Sequence, residues 1–164
     1  MKDLEPPDSI LVQTARALLE AGQQLAAQQR LDGIASEFQS HPDVLEVRWA
    51  VQAHARAWLA SLETARTLVT VAPERPTGWI QRSFVLHKLE RTQEALDALF
   101  PAAEKFPGIP IIRFNLACYS AQLSCLWEAE RWLRQALESS RGEYKKLALQ
   151  HQELKALWEK IQSL

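Results

Sequence analysis

The side chains best suited to chemistry are two cysteines and four histidines, and they form no recognisable catalytic or metal-binding pattern. Cys118 and Cys125 are seven residues apart with no histidine pair nearby, so the ligand set of a zinc site is missing. His54 and His87 are 33 residues apart, which would suit a shared groove in a repeating chain. A nucleophile there would still need a base and an orienting partner within hydrogen-bond reach. We therefore predict no catalytic residue, no metal and no cofactor.

The composition argues against nucleic-acid and membrane partners. The 164 residues carry 19 Lys and Arg against 20 Asp and Glu, a formal charge of −1, whereas phosphate binding relies on a basic surface. No apolar run is long enough to span a bilayer, and the first residues lack the apolar core of an export signal. The two cysteines fit free thiols in a reducing compartment. We therefore expect a cytoplasmic protein.

Prolines recur at a fixed interval along the chain. Pro42, Pro76 and Pro110 are each 34 residues apart, and so are Pro73 and Pro107. A proline is tolerated in the first turn of a helix and stops the helix before it, so these positions mark joints between helical hairpins. The same period places the first hairpin at Asp8, a suitable N-cap. The frames are then 8–41, 42–75, 76–109 and 110–143, after a flexible lead-in over 1–7 and before a terminal helix over 144–164.

The second helix of each frame repeats a stripe of small and apolar residues. Small residues at these places let two antiparallel helices approach closely. Apolar spacing is helical throughout, and the alternation typical of strands is absent, so the fold class is all-α. The stripe occupies the twentieth, twenty-fourth and twenty-seventh positions, as Ala27, Leu31, Ile34; Ser61, Ala65, Leu68; Ala95, Leu99, Ala102; and Ala129, Leu133, Ala136.

This register resembles the tetratricopeptide repeat (TPR), which has tryptophan at its fourth position, alanine at its twentieth and proline at its thirty-second. The third frame matches with Trp79, Ala95 and Pro107, and the fourth with Leu116 and Ala117 at positions seven and eight. The third and fourth frames and the tail are similar to small bacterial TPR proteins of unassigned function. The resemblance implies a right-handed α-solenoid of about four hairpins with a C-terminal capping helix. Such a fold offers a concave groove to another protein or peptide.

The sequence departs from the TPR pattern at several positions. Arg113 replaces the usual tryptophan, and Arg48 and Arg82 replace the usual leucine. These arginines either pair with acids at a repeat junction or extend their charges to solvent. Of the glycines expected at the fifteenth position, only Gly22 is present. The second repeat departs most, with Ser61 in place of alanine.

The resemblance also implies which first-helix residues face the groove. The first two repeats contribute Ser9, Val12, Gln13, Arg16, Asp43, Glu46, Val47, Ala50 and His54. From these and the later repeats we predict a partner-binding groove of Val47, Ile80, Gln81, Phe84, His87, Ile111, Phe114, Asn115 and Cys118. Asn115 resembles the family's residue that pairs with a ligand backbone. The charged clamp that chaperone-binding repeats use for a terminal carboxylate is missing.

The terminal segment raises an alternative. Leu147, Leu154, Trp158 and Ile161 share one face of a helix over 144–161, which suits a cap for the last repeat or a docking helix for a partner. The groove is then either open or covered by this helix or by a second copy of the chain. We predict a protein–protein interaction module, an adaptor, scaffold or chaperone-like protein, that binds a peptide or helix in an apolar concave groove and is not an enzyme. The alternative is a self-assembly unit whose groove face or cap forms a homodimer.

Overall fold

The computed structural model describes residues 3–140 and 143–163, and in those ranges it contains helices and turns without any strand. No helix there is both long and apolar enough to cross a membrane. Two 3₁₀ helices, Ser36–Phe38 and Gln152–Leu157, accompany the α-helices. The α-helices are α1 (Asp8–Glu20), α2 (Gln24–Asp32), α3 (Pro42–His54), α4 (Trp58–Val71), α5 (Pro76–Lys88), α6 (Thr92–Lys105), α7 (Pro110–Gln122), α8 (Leu126–Ser139), α9 (Glu143–Ala148) and α10 (Trp158–Ser163).

The helices follow the 34-residue period of the prolines. Helices α3, α5 and α7 begin at Pro42, Pro76 and Pro110, as predicted. In the second, third and fourth repeats the first helix has 13 residues and the second has 14. The second repeat is therefore as regular as the third and fourth. The irregular repeat is the first, because α2 has only 9 residues.

The turn inside each repeat has one residue in the left-handed region of backbone space. Gly22, Arg56, Glu90 and Ser124 have φ values of 74°, 54°, 61° and 64°, and they occupy the fifteenth position of the four repeats. At each turn the next residue's N–H reaches back five residues, as from Ala57 to the Gln52 carbonyl at 2.9 Å. This pattern closes the end of a helix and favours glycine. The turn geometry is thus kept in repeats that have lost the glycine.

The small-residue stripe lies in the core, as the register predicts. Eleven of its twelve residues are hydrophobic and at most 4% exposed, and the twelfth, Ser61, is fully buried. Ser61 satisfies its hydroxyl by donating to the Ala57 carbonyl at 3.0 Å. A serine can therefore replace the usual alanine at this position without an unpaired polar group.

The chain forms two compact units, Met1–Val85 and Leu86–Leu164. In the first unit, α1 packs on α2 and α3, and α3 packs on α4. Its main core joins Val12, Leu31, Val44 and Val51 with their neighbours. In the second unit, α7 packs on α6 and α8, and the 3₁₀ helix Gln152–Leu157 packs on α7.

The start of the chain differs from the predicted flexible lead-in. Leu4 packs against the core of the first unit, partly buried. Asp8 does not cap α1, because Pro7 precedes the helix and no side chain caps it. The Asp8 carboxylate instead accepts the Ala35 N–H at 2.9 Å and so ties α1 to the loop after α2. Residues 1–2 lie outside the described residues.

The single helix predicted over 144–161 is wrong. The segment is divided into α9, the 3₁₀ helix Gln152–Leu157 and α10. Ala148, and not Leu147, belongs to its buried face, since Leu147 is 38% exposed. The Trp158 indole N–H donates to the Ala148 carbonyl at 3.2 Å, which satisfies the end of α9 where the chain turns. The ends of the fourth frame and of the terminal helix, at residues 141–142 and 164, lie outside the described residues.

The left-handed turns predict a stabilising substitution. Arg56→Gly and Ser124→Gly should each raise the free energy of unfolding by about 0.5–1 kcal/mol, because relief of the strained backbone outweighs the added freedom of the unfolded chain. Gly22→Ala should lower it by a similar amount, whereas Gly108→Ala, in open space without a positive φ, should not. Urea denaturation measures all four changes. Destabilisation by both Arg56→Gly and Ser124→Gly would contradict this explanation of the turns.

Candidate partner-binding surface

A cleft of about 480 Å³ lies on the first-helix side of the first unit. Helix α1 supplies four of its lining residues and α3 supplies one, and these five are positions that the TPR register assigns to the groove. They are Ser9, Val12, Gln13, Arg16 and Asp43. The start of the chain (Asp3, Leu4), the N-cap of α3 (His41) and the loop before α5 (Arg75) complete the lining. We call this surface the first-unit cleft.

Ion pairs fix one wall of the first-unit cleft. Arg75 donates to the Asp43 carboxylate at 2.5 Å and lies 3.5 Å from a Glu46 oxygen. The hydrogen bond to Asp43 raises the pKa of the Arg75 guanidinium. The Asp43 backbone N–H in turn donates to the His41 ring at 3.3 Å, which caps α3. This wall is therefore held in place before any partner binds.

The α1 side of the cleft carries a cation that forms no ion pair with the described side chains. Arg16 is exposed on α1, and none of the described side chains pairs with it. Gln13, one turn earlier, is also exposed and presents an amide that can both donate and accept. The cleft thus offers polar groups of both kinds, with Val12 as its apolar floor.

The predicted groove residues of the first unit differ in exposure. Val47 is only 3% exposed and belongs to the core with Val44 and Val51, so its expected place on an open surface is wrong. Phe84 is half-buried against Trp49 and Trp58, with ring centroids 6.0 and 6.4 Å away.

Ile80 and Gln81 precede Phe84 on α5. Ile80 is half-buried. Gln81 is 8% exposed, and its side-chain oxygen has no hydrogen-bond donor among the described residues. Gln81 therefore holds an acceptor that the described fold does not use.

The predicted groove residues of the second unit are largely covered by the chain itself. Phe114 is 1% exposed and Cys118 is 5% exposed. The Phe114 ring lies 5.2 Å from both the Tyr144 and the His151 rings. Of the alternatives for this part of the groove, the structure shows cover by the C-terminal segment. Ile111 and Asn115 on the same helix are half-buried.

The structure brings together three groups that the sequence did not connect. The Cys118 sulfur lies 3.8 Å from Nδ1 of His151, and the same nitrogen lies 3.1 Å from a Glu153 oxygen. A catalytic triad needs the two ring nitrogens of histidine for its two partners, but here one nitrogen serves both. Burial also raises the pKa of the Cys118 thiol to about 12, which keeps the thiol protonated. This arrangement is unsuited to nucleophilic catalysis.

His87, the remaining predicted groove residue, lies beside this cluster. Its ring lies against the Tyr119 ring, tilted by 38° with centroids 5.0 Å apart, and its Nδ1 lies 3.3 Å from the Thr92 hydroxyl. Among the described residues, no group of three or more His, Cys, Asp or Glu could hold a metal ion.

Two of the arginines at TPR core positions, Arg113 and Arg48, bind backbone carbonyls and glutamine side chains. Arg113 donates to the carbonyls of Pro107 at 2.6 Å and Ala103 at 3.4 Å and to the Gln135 side chain at 3.2 Å. Arg48 donates to the backbone and side-chain oxygens of Gln39. Glu46, an acid near these arginines in the sequence, lies against Arg75. Arg48 and Arg113 thus fasten the loops that join neighbouring repeats.

Leucines are also exposed at a position of the repeat that lies outside the predicted groove. Leu25 and Leu59 occupy the eighteenth position of the first and second repeats and are 74% and 71% exposed. Leu25 borders a cavity of about 830 Å³ near the turn between α1 and α2, where glutamines form much of the lining. The equivalent residue of the third repeat is Gln93. An apolar side chain is therefore not required here by the fold.

No family model matches the chain, and no curated protein sequence does. Solved structures match it in three dimensions. A crystal structure of MamA superposes with a TM-score of 0.75 at 12% identity, covering 85% of this chain and 81% of that one. TTC0263, a thermophilic TPR protein of Thermus thermophilus, superposes with a TM-score of 0.69 at 19% identity, covering 96% and 100% of the two chains. The fold is an all-α solenoid of the TPR type. Identities this low show the fold alone.

The carbonyl contacts of Arg113 predict a structural role. Arg113→Leu should lower the free energy of unfolding by about 1–3 kcal/mol, because it leaves several acceptors without their donor. Arg134→Leu, which removes an exposed arginine paired with Glu130 on α8, should change stability by less than about 0.5 kcal/mol. Thermal and urea unfolding measure both. An unchanged or higher melting temperature for Arg113→Leu would refute the role.

The surroundings of His87 predict a pH dependence of stability. Burial, and then the charge of Lys88, lower the pKa of His87, with Glu153 opposing and His151 adding to the effect. The folded state therefore binds fewer protons than the unfolded state as pH falls through about 6.5, and the free energy of unfolding should fall with it. His87→Gln should make this slope shallower, because it removes the group whose pKa is lowered by folding. Equal slopes for wild type and His87→Gln would contradict the assignment.

Proposed function

We propose that this chain is a protein–protein interaction module, an adaptor or scaffold, that binds a peptide or helix of another protein. The observation that carries the proposal is the first-unit cleft, where five groove positions of the register line one concavity. The TPR-type fold supports an interaction module in general, because stacked hairpins present such surfaces to partners. The proposal assigns no enzymatic activity, in keeping with the geometry around Cys118.

The first-unit cleft is lined mostly by polar and charged side chains, whereas the sequence predicts an apolar groove, so this cleft favours a polar, charged segment as the ligand. Asp43, Glu46 and Arg75 form a prearranged wall, and Arg16 provides a cation that an acidic side chain of the partner can meet. The near-neutral charge of the whole chain, −1, disfavours a nucleic acid. The free cysteines Cys118 and Cys125 suit a cytoplasmic location.

None of the nine groove residues predicted from the register lines the first-unit cleft, and the nine differ in exposure. Ile80 and Phe84 of the first unit are half-buried, as are His87, Ile111 and Asn115 of the second, so each set can contribute to a contact surface on its own unit. Val47, Gln81, Phe114 and Cys118 are buried, so a partner reaches them only if the surrounding chain rearranges. Substitution of Phe114 would therefore test stability before it tests binding.

Charge reversal in the cleft tests the proposal. Arg16→Glu should reduce capture of the chain's partner from native lysate by about tenfold or more, because a favourable charge contact becomes repulsive. The matched control is Arg30→Glu, an exposed arginine on α2 outside the cleft lining. Quantitative affinity capture and circular dichroism measure binding and folding. Equal capture by the wild type and both variants would overturn the cleft as the binding surface.

The exposed leucines favour one alternative, a self-assembly unit. Leu25 and Leu59 would bury apolar surface in a homodimer. Light scattering across concentrations would detect the dimer. The double variant Leu25→Gln, Leu59→Gln would abolish the dimer. It places at both sites the residue type that the third repeat has there, Gln93. A monomer at all concentrations would remove this alternative.

A further inference from the structure

The C-terminal segment, residues 143–163, lies on one face of α7. Phe114 and Cys118 are four residues apart, so they are neighbours on this helix, and we call them the α7 face. The His151 ring meets Phe114 edge-on, with planes at 85°, and its Nδ1 lies 3.8 Å from the Cys118 sulfur. Tyr144 adds a second ring against Phe114. The α7 face is therefore shaped for an aromatic and imidazole-bearing segment.

Three apolar side chains of the C-terminal segment are buried. Leu154, Leu157 and Ile161 are 0%, 3% and 1% exposed, while Leu147 remains 38% exposed. Leu154 and Leu157 belong to the 3₁₀ helix that packs on α7, whereas Ile161 belongs to α10, which packs on that 3₁₀ helix and on α9. The ion pair of Lys160 with Glu130 is exposed at the rim, where such pairs contribute little.

The helices of the C-terminal segment are too short to be stable by themselves. Helices α9 and α10 have six residues each, well below the length at which an isolated helix is stable in water. Its conformation is therefore set by docking. By contrast, α7 belongs to a 34-residue hairpin with α8, which has the same helix lengths as the second repeat.

We propose that the α7 face is a binding site for a short protein segment, and that the C-terminal segment is its resident occupant, which a partner segment of the same chemistry displaces. That chemistry is an imidazole set edge-on to Phe114, an acid two residues later to pair with it, and apolar side chains at the places of Leu154 and Leu157. The inference rests on the proposed function only in taking a protein segment as the ligand. It concerns a surface other than the first-unit cleft.

Self-occupancy has a measurable consequence for affinity. An external segment competes with one tethered at an effective concentration in the millimolar range, so its apparent affinity is reduced by the fraction of chains that are open. Weakening the resident segment should raise that fraction and strengthen external binding by the same factor.

The probe is a fluorescent synthetic peptide of residues 143–163, and the protein is the full chain with Cys125→Ser, which leaves Cys118 as its only thiol. Leu157→Ser in the chain should increase peptide affinity about tenfold or more over the matched control Leu147→Ser, because only the first removes a buried anchor. A peptide carrying Leu157→Ser should not bind. Fluorescence anisotropy measures binding, and circular dichroism confirms that the hairpins stay folded.

Cys118 supplies an independent readout in the same chains. Its reaction with a disulfide reagent should be faster in Leu157→Ser than in Leu147→Ser, and the added wild-type peptide should slow it again. Should Leu157→Ser unfold the hairpins, Leu157→Ala provides the milder form of the same test. A folded variant that neither binds peptide nor exposes Cys118 would overturn the proposal and show a fixed cap. Since neither readout involves Arg16, that failure would leave the first-unit cleft untouched.

Discussion

The constraint on which the structure depends is the close approach of two helices within a hairpin. In α1–α2, α3–α4 and α7–α8 the contact is made by residues with little or no side-chain bulk, such as Ala27, Ala65 and Ala129, all fully buried. A larger side chain at these places would force the helices apart. Because the helices must lie at one distance, the turn between them must close in one way. That explains why a left-handed residue persists at the fifteenth position even where it is not glycine.

The sequence predicted this framework well because the framework is periodic. Proline spacing placed three helix starts at the correct residue, and the stripe of the second helices was buried as expected. The terminal segment was predicted wrongly because its break contains neither proline nor glycine. The break is stabilised by a tertiary contact, the Trp158 indole on the Ala148 carbonyl. Helical periodicity in one segment cannot reveal such a contact.

The candidate surfaces were predicted less well for a related reason. The register identifies which way a first-helix residue faces, and five such residues do line the first-unit cleft. It cannot show what else lies on that face, and for Phe114 and Cys118 that is the C-terminal segment. The partners of Arg48 and Arg113 were missed for a similar reason. These arginines bind loop carbonyls, and a backbone oxygen is present at every residue, so no sequence pattern predicts which one is bound. One first-helix surface thus forms a polar cleft, and another is occupied by the chain itself.

The proposed function requires that a partner protein binds at the first-unit cleft. The most direct test replaces Gln13, an exposed lining residue, with a photo-crosslinking amino acid and irradiates the full chain in native lysate. Arg30, equally exposed outside the cleft lining, is the control position. We expect a specific protein adduct from position 13 and none from position 30. The same adducts from both positions, or adducts from position 30 alone, would contradict it.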